Sequence, residues 1–370
     1  MQFYSLFINS KQQETQDTVT LEFAIPSELQ DTFLSYKQGQ YITIKATVKG
    51  QELRRSYSMS SSPLEKRLAI TVKKVQNGAV STWLHDTVQQ GDQLEVSAPD
   101  GRFFVPLNAD KRRTYYIFGA GSGITPLASI VKTTLEQEPM STIFMLYGSR
   151  NEEQIIFRDE LDKLSERYVG QLFVEHILSQ PKKEGGGGLM GLFKKSSSNW
   201  KGKKGRVDAH TVEQYLEENM PHGPEADCVY FVCGPGDMAE KVEKAIAARG
   251  IPTKQIHTER FLNATHVPGS EPANPVPGGG AHLVVHLKGQ RIETVVPAGQ
   301  TILDVMVREK YDVPYSCTAG ACSTCMAKVL NGKVAMDACY ALDDDEVKAG
   351  YCLTCQAKPD SGTVEITYDM

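Results

Sequence analysis

The 370-residue chain contains no apolar run approaching the roughly 18 to 20 residues of a membrane helix, so no spanning segment is expected. Its first residues lack the positively charged start, apolar stretch and small-residue cleavage site of a secretory signal, and a cytoplasmic location is expected. The formal net charge is only -5, which argues against a strongly basic nucleic-acid binder. Eight cysteines are too few for a disulfide scaffold in a chain of this length and suit a reducing compartment. The eight histidines form no ligand pair at helical spacing, so none is given a chemical role. No internal repeat is visible, which excludes a solenoid. The length itself excludes one ordinary core and points to two or three domains.

What is present begins with the C-terminal cysteines. Cys317, Cys322 and Cys325 stand at C-x₄-C-x₂-C spacing, and Cys355 follows after twenty-nine residues. Three thiolates on one loop and a fourth from a distant strand match the plant-type [2Fe-2S] pattern. A structural zinc ribbon would instead use the knuckles Cys322-x₂-Cys325 and Cys352-x₂-Cys355, taking Cys352 and leaving Cys317 idle. The run Tyr315-Ser316-Cys317-Thr318-Ala319-Gly320-Ala321-Cys322 favours the cluster. Its residues are small, and Gly320 permits unusual backbone angles, so amide groups can close on sulfur. Cys317, Cys322, Cys325 and Cys355 are the metal candidates, while Cys339 and Cys352 read as ordinary buried thiols. On these cysteines and the closing run Gly350-Tyr351-Cys352-Leu353-Thr354-Cys355, the chain from about His282 onward resembles a plant-type ferredoxin domain. That resemblance implies a β-grasp fold. Residues 283–287 alternate, Lys288-Gly289-Gln290 turns, 292–296 returns, and 301–307 carries helical spacing.

Composition marks two interruptions. Residues 263–281 hold Pro268, Pro272, Pro275 and Pro277 with a Gly278-Gly279-Gly280 run, a linker that tethers the last domain while letting it reorient. Residues 181–206 are low in complexity and carry eight Lys and Arg against the single acid Glu184. They read as a flexible, solvated insertion rather than as a contact for nucleic acid or membrane. The run Asp343-Asp344-Asp345-Glu346 is either a solvated helix start or a docking patch. Before residue 100 the pattern is short strands at 18–23, 41–44, 68–75 and 94–96, as in an antiparallel barrel. From 115 to 261 strands alternate with helices, as in a parallel α/β sheet.

Three further motifs carry chemistry. In Arg54-Arg55-Ser56-Tyr57-Ser58-Met59-Ser60, a guanidinium fork suits phosphate, an aromatic face suits a flavin ring, and a hydroxyl can both donate and accept. Gly78-Ala79-Val80-Ser81 opens a helical stretch and either cradles a second phosphate or simply caps the helix; strand Lys73 is a weaker candidate. Two glycine turns, Gly119-Ala120-Gly121-Ser122-Gly123-Ile124-Thr125 and Cys233-Gly234-Pro235-Gly236, each follow an apolar strand and line the carboxyl edge of one sheet, where ligands bind. Ser149-Arg150 ends another strand with groups suited to a 2′-phosphate, which favours NADPH over NADH; the alternative is a solvent-facing arginine.

The Arg-x-Tyr-Ser run and the barrel-then-α/β order resemble the ferredoxin-NADP reductase family over residues 1 to about 262. The resemblance implies that Arg55 pairs a phosphate of FAD, Tyr57 lies against the isoalloxazine and Ser58 sits at N5, with Met59, Ser60, Lys73, Gly78, Val80 and Ser81 also toward the flavin. Gly121, Thr125, Cys233, Gly234 and Pro235 are expected around the nicotinamide. Glu259 and Phe261, in the closing run His257-Thr258-Glu259-Arg260-Phe261, are expected near the flavin ring. Ser58 and Cys233 are the catalytic candidates. With its ferredoxin domain last, the whole chain resembles reductase components of bacterial multicomponent oxygenases, implying a path from NADPH through FAD and [2Fe-2S] to a terminal oxygenase protein. Reductases of Rieske-type or steroid hydroxylases would share every motif, and a flavin reductase fused to a zinc-ribbon interaction module is the rival of another class. The expected architecture is an antiparallel β-barrel flavin domain at 1–110, a parallel α/β NAD(P) domain at 111–262, the linker at 263–281 and an α+β ferredoxin domain at 282–370.

Overall fold

In the N-terminal part β1 (Phe3–Thr15), β2 (Thr18–Ala24), the short α1 (Gln30–Leu34), β3 (Tyr41–Val48), β4 (Gln51–Ser58), β5 (Leu68–Lys73), α2 (Ala79–Asp86) and β6 (Gln93–Ser97) follow one another. The strands form a six-stranded antiparallel sheet in the order β4-β3-β6-β1-β2-β5. Its two edges meet where Met59 bridges Ile70 and Ser60 N donates to Ala69 O at 2.9 Å, so the sheet closes into a barrel and loses its unpaired edges. Alternate residues such as Leu6, Ile8, Leu21, Ile42 and Ile44 fill the interior with Phe33. This computed structural model describes residues 1–182, 199–222, 227–262, 267–269 and 280–370.

The second sheet is parallel and six-stranded. It is built by β7 (Thr114–Ala120), α3 (Ile124–Gln137), β8 (Thr142–Ser149), α4 (Arg158–Arg167), β9 (Leu172–Leu178), β10 (Lys203–Lys204), α5 (Ala209–Glu218), β11 (Cys228–Pro235), α6 (Gly236–Ala248) and β12 (Ile256–Phe261). The strand order is β10-β9-β8-β7-β11-β12, all parallel. Every residue of β8 is buried, as helices on both faces of a parallel sheet require. Strand order reverses between β7 and β11, which opens a crevice at the carboxyl edge. Glu138, fully buried beyond α3, accepts from Arg113 Nη1 at 3.0 Å, Tyr115 OH at 2.8 Å, Ser141 Oγ at 2.9 Å and Asn108 N at 2.9 Å. A buried carboxylate is tolerated only when so fully partnered.

The basic insertion is not flexible throughout. Residues 183–198 lie outside the described part, but Lys203–Lys204 adds a short parallel strand to the sheet, pairing with Ile177 and Leu178. Trp200 Nε1 donates to Lys203 O at 2.9 Å, and Lys203 Nζ lies 3.4 Å from Glu175, so local pairing overrides the low-complexity composition here.

The last part consists of β13 (Ala281–Leu287), β14 (Gln290–Val296), α7 (Ile302–Arg308), β15 (Met326–Asn331), β16 (Val334–Met336), α8 (Asp344–Lys348), β17 (Tyr351–Leu353), β18 (Ala357–Pro359) and β19 (Thr363–Thr367). The main sheet runs β14-β13-β19-β15-β17, with β13 and β19 parallel, and α7 buries Ile302, Leu303, Val305 and Met306 in the core. Thr301 caps α7 by accepting from Asp304 N at 3.2 Å, a bond worth about 1 kcal/mol. Asp343 and Glu346 form a capping box at α8, so the acidic run starts a helix. Most of the linker lies outside the described residues. Its residues 267–269 touch both neighbours: Val267 packs on the barrel core, and Gly269 N donates to Asp304 Oδ1 at 3.3 Å. Among the described residues no helix is long and apolar enough to cross a membrane.

Candidate cofactor cavity and cysteine cluster

One cavity of about 1190 Å³ runs between the three parts. It exceeds the roughly 300–1,000 Å³ of a single small-ligand pocket, as two adjoining cofactors would require. Arg55, Tyr57 and Ser58 line it from β4, with Lys73, Gly78, Val80 and Ser81 beside them. No side chain caps α2: the Ser81 hydroxyl turns back, accepting from Val75 N and donating to Gly78 O, both at 3.3 Å. The first-turn amides are thereby left to an anion. Lys73 forms an ion pair with Asp17 at 3.5 Å, which draws its charge toward β2.

Across the cavity lie Gly121, Thr125, Ser149, Arg150 and Pro235 from the α/β sheet, and Glu259 and Phe261 from β12. Thr125 Oγ1 donates to Ser122 O at 3.0 Å, fixing the turn into α3. A Cβ on Gly123 would lie 2.1 Å from Cys233 O, so only glycine lets α3 start against β11. Burial pushes the Glu259 carboxyl up to about 8; the Ser58 hydroxyl, donating to it at 3.4 Å, opposes that shift and the nearby Cys322 adds to it.

Four expected cofactor contacts, Met59, Ser60, Cys233 and Gly234, do not line the cavity. Met59 is fully buried in the barrel core, because the sheet closes at its bridge to Ile70. Ser60 is buried and hydrogen-bonds Thr71 Oγ1 at 2.8 Å, behind a residue that itself lines the cavity. Cys233 is fully buried beneath the glycine turn, and burial, with Glu259 nearby, holds its thiol well above the ordinary range. Gly234 sits against Met238 and Ala120. Conversely, the cavity wall includes Tyr41, Arg206, Asp208 and Lys241, which the motif reading did not single out. Arg206 was obscured by the basic, low-complexity run that precedes it.

Cys317 and Cys322 reach the same cavity from the ferredoxin-like end. The thiols of Cys317 and Cys322 hydrogen-bond each other, and so do those of Cys325 and Cys355. Within the first pair the hydrogen bond from Cys322 brings Cys317 down to about 7 and holds Cys322 well above its usual value. In the second pair Cys355 is lowered, chiefly by Cys325, which is raised. The loop amides assist: Ala319 N donates to Cys317 Sγ at 3.5 Å, and the Gly320 amide favours the Cys355 thiolate. Among the described residues no three His, Cys, Asp or Glu side chains group around one ion. Two thiol pairs ringed by amides instead fit two irons with two thiolates each. Cys352, which a zinc ribbon would need, is fully buried in the domain core, and burial pushes its thiol up to about 12.

The fold and the cavity define a flavin-, nicotinamide- and iron-sulfur-dependent reductase, a class in which three modules share one chain. Family models match in the same order: an oxidoreductase FAD-binding domain over residues 5–105, an oxidoreductase NAD-binding domain over 117–244 and a 2Fe-2S iron-sulfur cluster binding domain over 285–360. The chain is 36% identical to a component protein of the 1,2-phenylacetyl-CoA epoxidase of Escherichia coli K12, covering 99% of this chain and 98% of that one. It is 34% identical to the ferredoxin reductase component of 3-ketosteroid-9-alpha-monooxygenase of Rhodococcus rhodochrous, over 98% of this chain and 96% of that protein. Phthalate dioxygenase reductase, described as a modular structure for electron transfer from pyridine nucleotides to [2Fe-2S], shares the fold with a TM-score of 0.58 at 22% identity, covering 99% and 98%. The chain belongs to this family of ferredoxin reductase components of oxygenase systems, and it is an NAD(P)H-dependent oxidoreductase.

Proposed function

We propose that the chain carries electrons from NADPH through FAD and a [2Fe-2S] cluster to the di-iron phenylacetyl-CoA epoxidase of phenylacetate degradation, in the cytoplasm. The observation that carries the route is the single cavity, whose wall runs from Arg150 and Arg206 through Arg55, Tyr57 and Ser58 to Cys317 and Cys322. The choice of acceptor is supported by the full-length similarity to the epoxidase component. When bound, FAD accepts a hydride from NADPH and releases electrons singly to the [2Fe-2S] centre.

The chain's own residues bind, orient and exclude water. Arg150, Arg206 and Ser149 hold the 2′-phosphate end of the nucleotide, and the Gly121–Gly123 turn offers amides to its pyrophosphate. Arg55 and the start of α2 hold the flavin phosphates, Tyr57 covers one face of the ring and Phe261 closes toward it. Ser58 and Glu259 form a buried hydrogen-bonded pair whose carboxyl keeps its proton at neutral pH. Cys317, Cys322, Cys325 and Cys355 hold the cluster. Anaerobic NADPH titration followed by visible absorbance and electron paramagnetic resonance tests the route: flavin bleaching followed by a reduced-cluster signal is expected. Purified phenylacetyl-CoA epoxidase should then be reduced; no transfer to it under saturating conditions would sink the assignment of the acceptor.

A further inference from the structure

β4 serves two neighbours at once. Arg55, Ser56, Tyr57 and Ser58 all line the cavity, and Ser56, together with Arg54, also meets the ferredoxin-like domain. Ser56 Oγ lies 2.6 Å from Ser316 Oγ, and Ser316 precedes the ligand candidate Cys317 in the chain. Thr43, paired directly opposite Ser56 on β3, donates from Oγ1 to the same Ser316 Oγ at 3.1 Å. Two residues along β3, Tyr41 OH lies 2.8 Å from Thr324 Oγ1, between Cys322 and Cys325. Thr43, Ser316, Tyr41 and Thr324 are all buried, at 0%, 1%, 4% and 8% exposure, so the Thr43–Ser316 and Tyr41–Thr324 hydrogen bonds lie out of reach of bulk solvent, while Ser56 is half-buried. Leaving such a group unpaired is costly, and the seam therefore fixes a unique register. Arg54 pins its edge, with its guanidinium 4.4 Å from the Tyr315 ring centre and 3.7 Å from Asp312.

We propose that Ser316 is a positioning residue for electron transfer: clamped by Thr43 and Ser56, it holds the Cys317 side of the cluster loop against β4, the strand that also brings Arg55, Tyr57 and Ser58 to the cavity. The inference rests on the flavin-to-cluster route proposed above. One electron leaves the reduced flavin and enters the oxidised cluster, no bond is made or broken, and the hydroxyl clamp sets only the distance. The rate of such a step falls exponentially with the separation of the two centres. Loss of the clamp should therefore slow this step severalfold and leave hydride uptake by the flavin unchanged.

The test uses the full-length holoprotein carrying Ser316→Ala, Thr43→Val or both. Stopped-flow mixing with NADPH should show flavin reduction at the parental rate and with the parental KM, followed by slower appearance of the reduced cluster. The cluster's paramagnetic resonance spectrum and potential should stay parental, which separates positioning from damage to the centre. Amide hydrogen exchange supplies a readout independent of turnover: residues 41–45 and 54–58 should lose protection in the variants. Parental cluster reduction, or slowed reduction with unchanged protection, overturns the inference. If Ser316→Ala does not assemble its cluster, Thr43→Val decides alone, because it leaves the cysteine loop intact. Should the parent protein itself fail to reduce its cluster with NADPH, the route fails; a parent that transfers and variants that match it refute only the clamp.

Discussion

Gly320→Ala should weaken the cluster site while leaving the flavin half at work, and the size of the effect follows from two separable costs. Gly320 has φ +72°, and a Cβ there would lie 2.7 Å from Ala338 O and 3.2 Å from the Ala338 carbonyl carbon. The left-handed backbone costs an L-residue about 1–2 kcal/mol, and forcing a methyl against a fixed carbonyl costs about 1–3 kcal/mol more. Tyr340 N and Ala341 N both donate to Gly320 O, at 3.0 and 3.2 Å, so the strain cannot relax without moving that connection. The Gly320 amide also supports the Cys355 thiolate, which ties the backbone shift to a sulfur. Gly289→Ala is the control: φ is +74°, in the same domain, but its Cβ would meet nothing within 4 Å, so it bears only the conformational cost. The assay is the iron and acid-labile sulfide content of each full-length variant, with the urea midpoint for bleaching of the cluster absorbance. With a urea slope of about 1–3 kcal/mol per molar, the clash alone should lower the midpoint of Gly320→Ala below that of Gly289→Ala by about 1 M. Equal midpoints and equal iron content in the two variants would refute the reasoning.

Arg206→Ala should raise KM for NADPH on the order of tenfold and leave KM for NADH nearly unchanged, since one lost charge-assisted contact is worth about 1.5–3 kcal/mol; equal effects on both nucleotides would remove Arg206 from the 2′-phosphate site. Cys322→Ser should abolish the cluster's paramagnetic signal yet retain NADPH reduction of the flavin and of ferricyanide, whereas Cys352→Ser should retain the signal; iron loss from the second variant would revive the zinc-ribbon ligand set. Acid should loosen the contact between barrel and α/β sheet through Glu65. Burial alone would raise its carboxyl, but Lys132 at 2.9 Å and Arg67 at 2.6 Å outweigh it, and the folded value lies below the ordinary 4.5. The stabilisation is therefore fully present above the unfolded value and is lost as pH falls through the lower folded value; in unfolding measured across that window, Glu65→Gln should flatten the pH dependence, and an unchanged slope would count against the pair.

Legibility in the sequence tracked the range of the interaction. The convergence of Cys317, Cys322 and Cys325 was readable because spacing along one loop encodes it, and Cys355 follows a short strand with its own family-like run. The Arg55-Ser56-Tyr57-Ser58 strand and the two glycine turns were readable for the same reason: each motif is local. β1 was not, because bulges between Ile8 and Ser10 and between Gln13 and Thr15 break its alternation and its middle is polar. Lys203–Lys204 escaped because its two residues gain their pairing from β9, which a compositional window cannot detect. Met59, Ser60 and Cys233 sit beside residues that line the cavity, yet barrel closure at Ile70, the hydrogen bond to Thr71 and the tight glycine turn keep their own side chains out of its wall. Tyr41 and Thr324 are separated by 283 positions, so their hydrogen bond leaves no local trace in either segment.

β4 serves the cavity and the ferredoxin-like domain together. The roles proposed for Arg55 and Tyr57 leave Arg54 and the hydroxyl of Ser56 to contact Asp312 and Ser316. The strand that lines the cavity thus also meets the ferredoxin-like domain, with no element between them. A barrel with Arg54 and Ser56 exposed to water would gain nothing by burying hydroxyls; a hydroxyl is stable in a dry seam only when the partner surface supplies its complement, as Ser316 and Asp312 do. The directional hydrogen bonds of this contact set the register of β4 and β3 against Ser316 and Thr324, which an apolar seam would leave free to slide.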